Sequence, residues 1–253
     1  MSVSGSLSGR PSGRPSGRAH DALRTVSIEP GVSHHAEGSV LIRAGRTEIL
    51  CSASVESRVP GFLRGQGLGW VTAEYGMLPR ATHKRGQREA ARGQQSGRSQ
   101  EIQRLIGRSL RAVTDRRAMG EMSITVDCDV LNADGGTRCA AITGGWVALH
   151  LAFAHLVRNR VLAAIPLTGM VAAVSCGLTD QGAVLDLDYV EDSAAQADAN
   201  FVLTDAGTIV EIQASAEQAP FSEAQFADLH ALARQGAGGL FAAQRASIER
   251  SPA

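Results

Sequence analysis

Asp134-Gly135-Gly136-Thr137-Arg138 stands between two runs of different periodicity. Before it, Met122 to Leu131 alternates. Ile124, Val126, Cys128 and Val130 point one way and Thr125, Asp127 and Asp129 the other, as a half-buried strand requires. After it, Ala140 to Val157 is apolar and reads as a helix. Two glycines, a hydroxyl and an arginine therefore fall where a strand ends and a helix begins. A helix start offers unpaired N–H groups and the positive end of the macrodipole. Glycine lets an anion approach the backbone closely, and Thr137 and Arg138 add side-chain donors. Alone, these five residues favour an ordinary glycine turn with a solvated arginine over a phosphate seat.

Working outward, Ser39 to Ile42, Glu48 to Val55 and Trp70 to Met77 read as strands. Ser99 to Ala118 reads as one helix, with Ile102, Leu105, Ile106, Leu110 and Val113 on its apolar face. Met170 to Gly177 and Ala183 to Tyr189 form a predicted hairpin around Asp180-Gln181-Gly182, and Asn200 to Leu203 and Thr208 to Gln213 another. Phe221 to Ala246 reads as one or two helices, with Ser222 as N-cap. Gly144 and Gly145 inside the long apolar helix imply close packing there. The irregular alternation predicts an α+β protein, a mixed sheet with packed helices in a single domain over residues 19–248. Residues 1–18, carrying the Ser-Gly-Arg-Pro repeat, read as a disordered extension, and 249–253 as a flexible tail.

At 253 residues, 43% hydrophobic and 20% charged, the chain has the composition of a soluble globular protein. No apolar run approaches bilayer-crossing length, and the first residues lack an apolar signal core. A cytoplasmic location without membrane contact is expected. Cys51, Cys128, Cys139 and Cys176 are widely spaced, so they read as reduced core residues rather than zinc ligands or disulfides.

Net charge is zero, but the charges are segregated. Residues 57–117 carry thirteen Lys/Arg against four Asp/Glu, and residues 118–253 carry six against sixteen. The densest basic stretch, Arg80 to Arg98, holds Arg80, Lys84, Arg85, Arg88, Arg92 and Arg98 with interleaved glycines. It reads as a long loop with the electrostatic footprint of a nucleic-acid site. In the acidic half, the thirteen residues from Asp186 to Asp198 hold five acids, Asp186, Asp188, Glu191, Asp192 and Asp198, at a strand end and the turn after it. Asp186 and Asp188 are placed on one strand face. Clustered carboxylates call for a divalent cation or arginines. Magnesium takes one or two carboxylates together with substrate phosphates.

Six segments carry a family resemblance: His35-Ala-Glu-Gly-Ser-Val, Gly65 through Arg80, Gly97 through Arg108, Asp127-Cys-Asp-Val-Leu, Ala133-Asp-Gly-Gly-Thr-Arg and Glu191-Asp-Ser-Ala-Ala. Over nearly all of residues 14–248 the chain resembles the bacterial ribonuclease PH family, phosphate-dependent tRNA nucleotidyltransferases. The resemblance implies the ribonuclease PH fold and a phosphorolytic 3′-to-5′ exoribonuclease that trims precursor tRNA and other RNA 3′ ends. It implies inorganic phosphate as co-substrate, bound by Arg98, Gly136, Thr137 and Arg138. Asp186 and Asp192 would serve magnesium and catalysis, and Arg80, Arg85 and Arg88 would hold tRNA. It also implies a homohexamer, a trimer of dimers. Cys139 stands where the family usually has a threonine, outside the catalytic positions. A non-catalytic RNA-binding ring subunit is the main rival; it would have lost the arginines or aspartates that are present here. A kinase or NTPase would need a Gly-Lys-Ser/Thr loop, which a chain with Lys84 as its one lysine lacks.

Overall fold

The computed structural model describes residues 13–251. Within them the elements run β1 (Val26–Pro30), β2 (Gly38–Ala44), β3 (Thr47–Glu56), β4 (Trp70–Met77), α1 (Glu89–Arg92), α2 (Gly97–Ala112), α3 (Arg116–Met119), β5 (Ser123–Asn132), α4 (Thr137–Arg158), β6 (Val171–Thr179), β7 (Gly182–Leu185), α5 (Tyr189–Ala194), β8 (Ala197–Thr204), β9 (Ile209–Ala216) and α6 (Glu223–Glu249). Two sheets result, ordered β1-β2-β3-β5-β4 and β7-β6-β8-β9. The first is mixed: β4 runs parallel to β5, so the chain must cross over between them, and α2 is the helix on that crossover. The second is antiparallel throughout. This is the expected α+β architecture.

The apolar helix α4 lies between the sheets, packing on β2, β3 and β5 on one side and β6 on the other. Its burial on nearly all sides explains why its sequence shows no polar face. At 22 residues it is long and apolar enough to cross a membrane, contrary to the sequence-based expectation, yet it serves as the core helix. Gly144 is required by close approach, since a Cβ there would sit 2.7 Å from Ile42 Cγ2 and 3.1 Å from Cys51 Sγ. At Gly145 a Cβ would meet Val126 at 3.5 Å, ordinary contact, so the expected crowding holds for the first glycine only. All four cysteines are buried and unpaired.

Several expected boundaries move. The single helix over Ser99–Ala118 breaks after Ala112. There Asp115 N–H donates to Pro166 O at 2.9 Å and Thr168 N–H to Val113 O at 2.9 Å, and the Asp115 carboxylate then caps α3. Tertiary hydrogen bonds outcompete one more helical turn. Within the expected loop over 80–98, Glu89–Arg92 forms one helical turn and Arg98 lies in the first turn of α2. The expected strand over Ala183–Tyr189 stops at Leu185. Asp186 adopts a left-handed backbone (φ 56°) and Asp188 becomes the N-cap of α5, so the two aspartates do not share a strand face. Residues 1–12 of the predicted extension lie outside the described residues. The described part of the repeat is packed: Arg14, in its second copy, is buried against the end of β7, and Arg18, in its last copy, bonds to Glu191.

Candidate active site

Four of the expected residues meet at the start of α4. Gly135 (φ 77°) and Gly136 (φ 64°) take the left-handed turn that ends β5. Gly136 is the N-cap of α4 and offers no side-chain cap, whereas Ser96, Asp188 and Ser222 cap α2, α5 and α6. The leading N–H groups of a 22-residue helix are thus left without a side-chain acceptor. Tyr75, near the end of β4, donates its hydroxyl to Thr137 Oγ1 at 2.9 Å. Burial raises the Tyr75 pKa and outweighs that hydrogen bond and the positive charge of Arg98 and Arg138, which lower it. Arg138 is half-buried and donates through Nη1 to Gln213 Oε1 at 2.6 Å and Glu101 Oε1 at 3.2 Å.

Arg98, exposed in the first turn of α2, sends its charge into the same space. The positive charges of both Arg98 and Arg138 favour the ionised form of Asp192, in the first turn of α5. Asp192 is nonetheless held above the ordinary carboxyl range, first by burial and then by Asp198. The sheet order and α4 therefore bring a helix start, two arginines, a hydroxyl pair and a carboxyl of raised pKa to one place.

Asp186 is arranged differently. Arg24 grips its carboxylate from one side: the Arg24 backbone N–H and Nε donate to Oδ2 at 2.7 and 3.0 Å, and Nη2 donates to Oδ1 at 2.7 Å. Glu191, next to Asp192, is not a solvated acid. Its side chain is 2% exposed and accepts from Arg14 Nε and Nη2 (2.8 and 2.7 Å), Ser16 Oγ (2.8 Å), Arg18 Nη2 (2.9 Å) and the Asp188 N–H (3.1 Å). Burial alone would raise its pKa; these hydrogen bonds and the Arg14 charge reverse that and hold it at about 2. With Asp188 it closes a capping box on α5, which fixes the helix that carries Asp192.

Among the described residues, no group of three or more His, Cys, Asp or Glu side chains is arranged to hold a metal ion. Asp192 is the carboxylate that a divalent cation would meet here, and the cation would relieve the repulsion from Asp198. Asp186 accepts two hydrogen bonds from Arg24 at Oδ2 and one at Oδ1, which leaves lone-pair capacity on Oδ1 for a cation. The basic loop flanks this site: the ring of His83 lies 6.4 Å from that of Tyr189 on α5. Arg80, Arg85 and Arg88 are exposed along it, and Arg80 Nη1 donates to His83 O at 3.2 Å. Its acid, Glu89, turns inward and accepts from the Ser96 N–H and Ser99 Oγ, tying the loop to the start of α2.

Tyr75, Arg14, Arg18 and Arg24 were not singled out from the sequence, whereas Asp198 belongs to the acidic stretch. Tyr75 lies inside a segment that carries the resemblance and has no local sign of its role. The three N-terminal arginines meet acids more than 160 residues away, which no spacing rule detects.

The sequence matches the model of the 3′ exoribonuclease family, domain 1, over residues 22–154 and domain 2 over residues 169–236. It is 65% identical over 230 residues to ribonuclease PH of Rhodospirillum rubrum, covering 91% of this chain and 96% of that one. It is 62% identical over 230 residues to ribonuclease PH of Caulobacter vibrioides, covering 91% and 97%. The fold resembles rice Rrp46 (TM-score 0.75, 18% identity, 92% of this chain and 98% of that one). It also resembles a chain of the Archaeoglobus fulgidus exosome with RNA bound to the active site (TM-score 0.76, 21% identity, 90% and 91%).

Proposed function

The chain belongs to the ribonuclease PH branch of the 3′ exoribonuclease family, and on that premise we propose that the start of α4, with Arg98 and Arg138, seats inorganic phosphate as the attacking group. The protein is a phosphorolytic 3′-to-5′ exoribonuclease acting in tRNA processing. A phosphate oxygen attacks the phosphorus of the terminal phosphodiester. The bond to the preceding 3′ oxygen breaks, that oxygen takes a proton, and a nucleoside diphosphate leaves. The anhydride formed conserves much of the bond energy, so the reaction runs backwards when diphosphates are abundant.

The observation that carries the site assignment is the start of α4 without a side-chain cap, where Gly136, the Tyr75–Thr137 hydroxyl pair and half-buried Arg138 lie together. The arginines offset charge on the attacking and transferring phosphates. Because Tyr75 donates to Thr137 Oγ1, the Thr137 proton is free to be given to a bound anion. Asp192, of raised pKa, is suited to hand a proton to the leaving 3′ oxygen. Magnesium held by Asp192, and by the remaining lone pair of Asp186 Oδ1, would supply further neutralisation of the transferring phosphate. Arg80, Arg85 and Arg88 would grip the tRNA body through its phosphates. A homohexamer in the cytoplasm completes the reading.

The test is an incubation with tRNA carrying extra 3′ nucleotides and magnesium, with and without phosphate. Nucleoside diphosphates appearing only with phosphate are expected. Monophosphates appearing without it would refute phosphorolysis, and no release at all would leave an RNA-binding role.

A further inference from the structure

We propose that Arg24 is a positioning residue that holds the two halves of the active site in register. The inference rests on the function proposed above and adds a residue outside the expected phosphate, metal and RNA set. The phosphate-seating turn, Asp134 to Gly136, closes the first sheet's strand β5; Asp186 follows β7 of the second sheet. The guanidinium of Arg24 bonds to both. Nε and Nη2 take the two oxygens of Asp186, while Nη1 donates to Asp134 O at 2.7 Å and Gly135 O at 3.4 Å. Nη2 also lies against Gly136, where an added Cβ would come within 2.8 Å of it.

Burial shows that this bridge is built into the fold rather than formed by a surface arginine. The side chains of Arg24 and Asp186 are 7% and 9% exposed. A guanidinium so enclosed is tolerable only with its donors satisfied, and here the partners come from both loops. Thr47 fixes the same turn from the first sheet alone, donating to Gly135 O at 2.7 Å and accepting from the Asp134 N–H at 2.9 Å. Arg24 adds the link to Asp186, whose left-handed backbone is otherwise costly for an aspartate. The planar fork is needed because three groups at different angles are bonded at once; an ammonium is a single point donor. Shifting either loop by about 1 Å is enough to cost on the order of a hundredfold in rate.

The experiment compares the full-length wild type with Arg24→Lys and Arg24→Ala. It reads kcat, KM for phosphate, KM for tRNA, the thermal midpoint, and the rise in that midpoint on adding inorganic phosphate. Arg24→Lys is expected to melt near the wild type while kcat/KM for phosphate falls by about thirtyfold or more. KM for tRNA stays unchanged, since the basic loop is untouched. The phosphate-induced rise in midpoint shrinks in both variants. Guanidinium ion at non-denaturing concentration restores about tenfold to Arg24→Ala and nothing to the wild type. An Arg24→Lys enzyme with wild-type kinetics and a wild-type phosphate shift would overturn the inference. So would an Arg24→Ala enzyme whose loss equals its unfolded fraction and is not relieved by guanidinium. The two readings fail separately: a wild type that releases no diphosphate overturns the function, while the phosphate-induced shift still tests Arg24.

Discussion

Replacing Gly135 with alanine, and comparing it with the same change at Gly136, separates backbone strain from displacement of the acidic loop. Both glycines have left-handed backbones, φ 77° and 64°. That conformation costs about 1–2 kcal/mol for a residue with a side chain. The surroundings differ. At Gly135 the added Cβ lies 2.7 Å from Leu187 O and Asp188 C and 2.9 Å from Tyr189 N, all backbone of the segment between Asp186 and α5. Backbone cannot rotate away, so overpacking adds about 1–2 kcal/mol. At Gly136 the nearest atom is Nη2 of Arg24, the far end of a side chain. Gly135→Ala is therefore expected to cost about 3 kcal/mol and Gly136→Ala about 2 kcal/mol, the strain plus a partial loosening of the Arg24–Asp186 pair. The assay is urea denaturation at fixed protein concentration, with trimming rates on the folded protein. Gly135→Ala should lower kcat about a hundredfold, because the segment leading to Asp192 must move. Gly136→Ala should act on the rate through Arg24, by disturbing its bond to Asp186. Equal stability losses at the two positions would refute this account of the packing.

Arg14→Ala should cost about 3 kcal/mol near neutral pH, the low end for a broken buried pair, because Arg18 still reaches Glu191 at 2.9 Å. Glu191 has a depressed pKa of about 2 in the folded state, so its contribution is present above about pH 4.5 and is lost as pH falls toward 2. The gap between the Arg14→Ala and wild-type melting temperatures should close over that range, and a constant gap would contradict the pairing. Asp127 lines an open groove of about 540 Å³ with Glu74, Asp129 and Glu89. Burial first, then Glu74 and Asp129, push it up to about 6, so the folded state loses stability as pH rises through about 4 to 6. Asp127→Asn should stabilise by about 1 kcal/mol at pH 7.5, after allowing for solvent screening, and by nothing at pH 4; melting curves at the two pH values check this. Replacing Arg85 and Arg88 with alanine should slow trimming of tRNA more than attack on a short oligonucleotide, and equal losses on both would contradict the loop's role.

Local pattern determined a large part of this protein. The alternation over Met122–Leu131 became β5, and the apolar run beyond Arg138 became α4. Ser222 capped the last helix as its residue type predicts. These follow from periodicities and caps that act within a few residues. The five residues from Asp134 to Arg138 were readable as a turn into a helix for the same reason. Their reading as the seat of a nucleophile came from the longer resemblance, since a glycine turn has the same local chemistry whatever it binds.

The tertiary structure alone decided which polar groups face each other. Asp186 and Asp188 alternate in sequence as if on a strand, but the left-handed turn at Asp186 ended the sheet and gave Asp188 to a helix cap. Asp186 and Glu191 looked alike as acids, yet Arg24 holds the first and Arg14 with Arg18 the second, while Asp192 keeps a raised pKa beside Asp198. Charge pairing depends on distance through space and on how much water remains, and neither is encoded in spacing along the chain. The arginines of an N-terminal stretch that reads as disordered thus became the braces of the acidic loop once folding brought the two together.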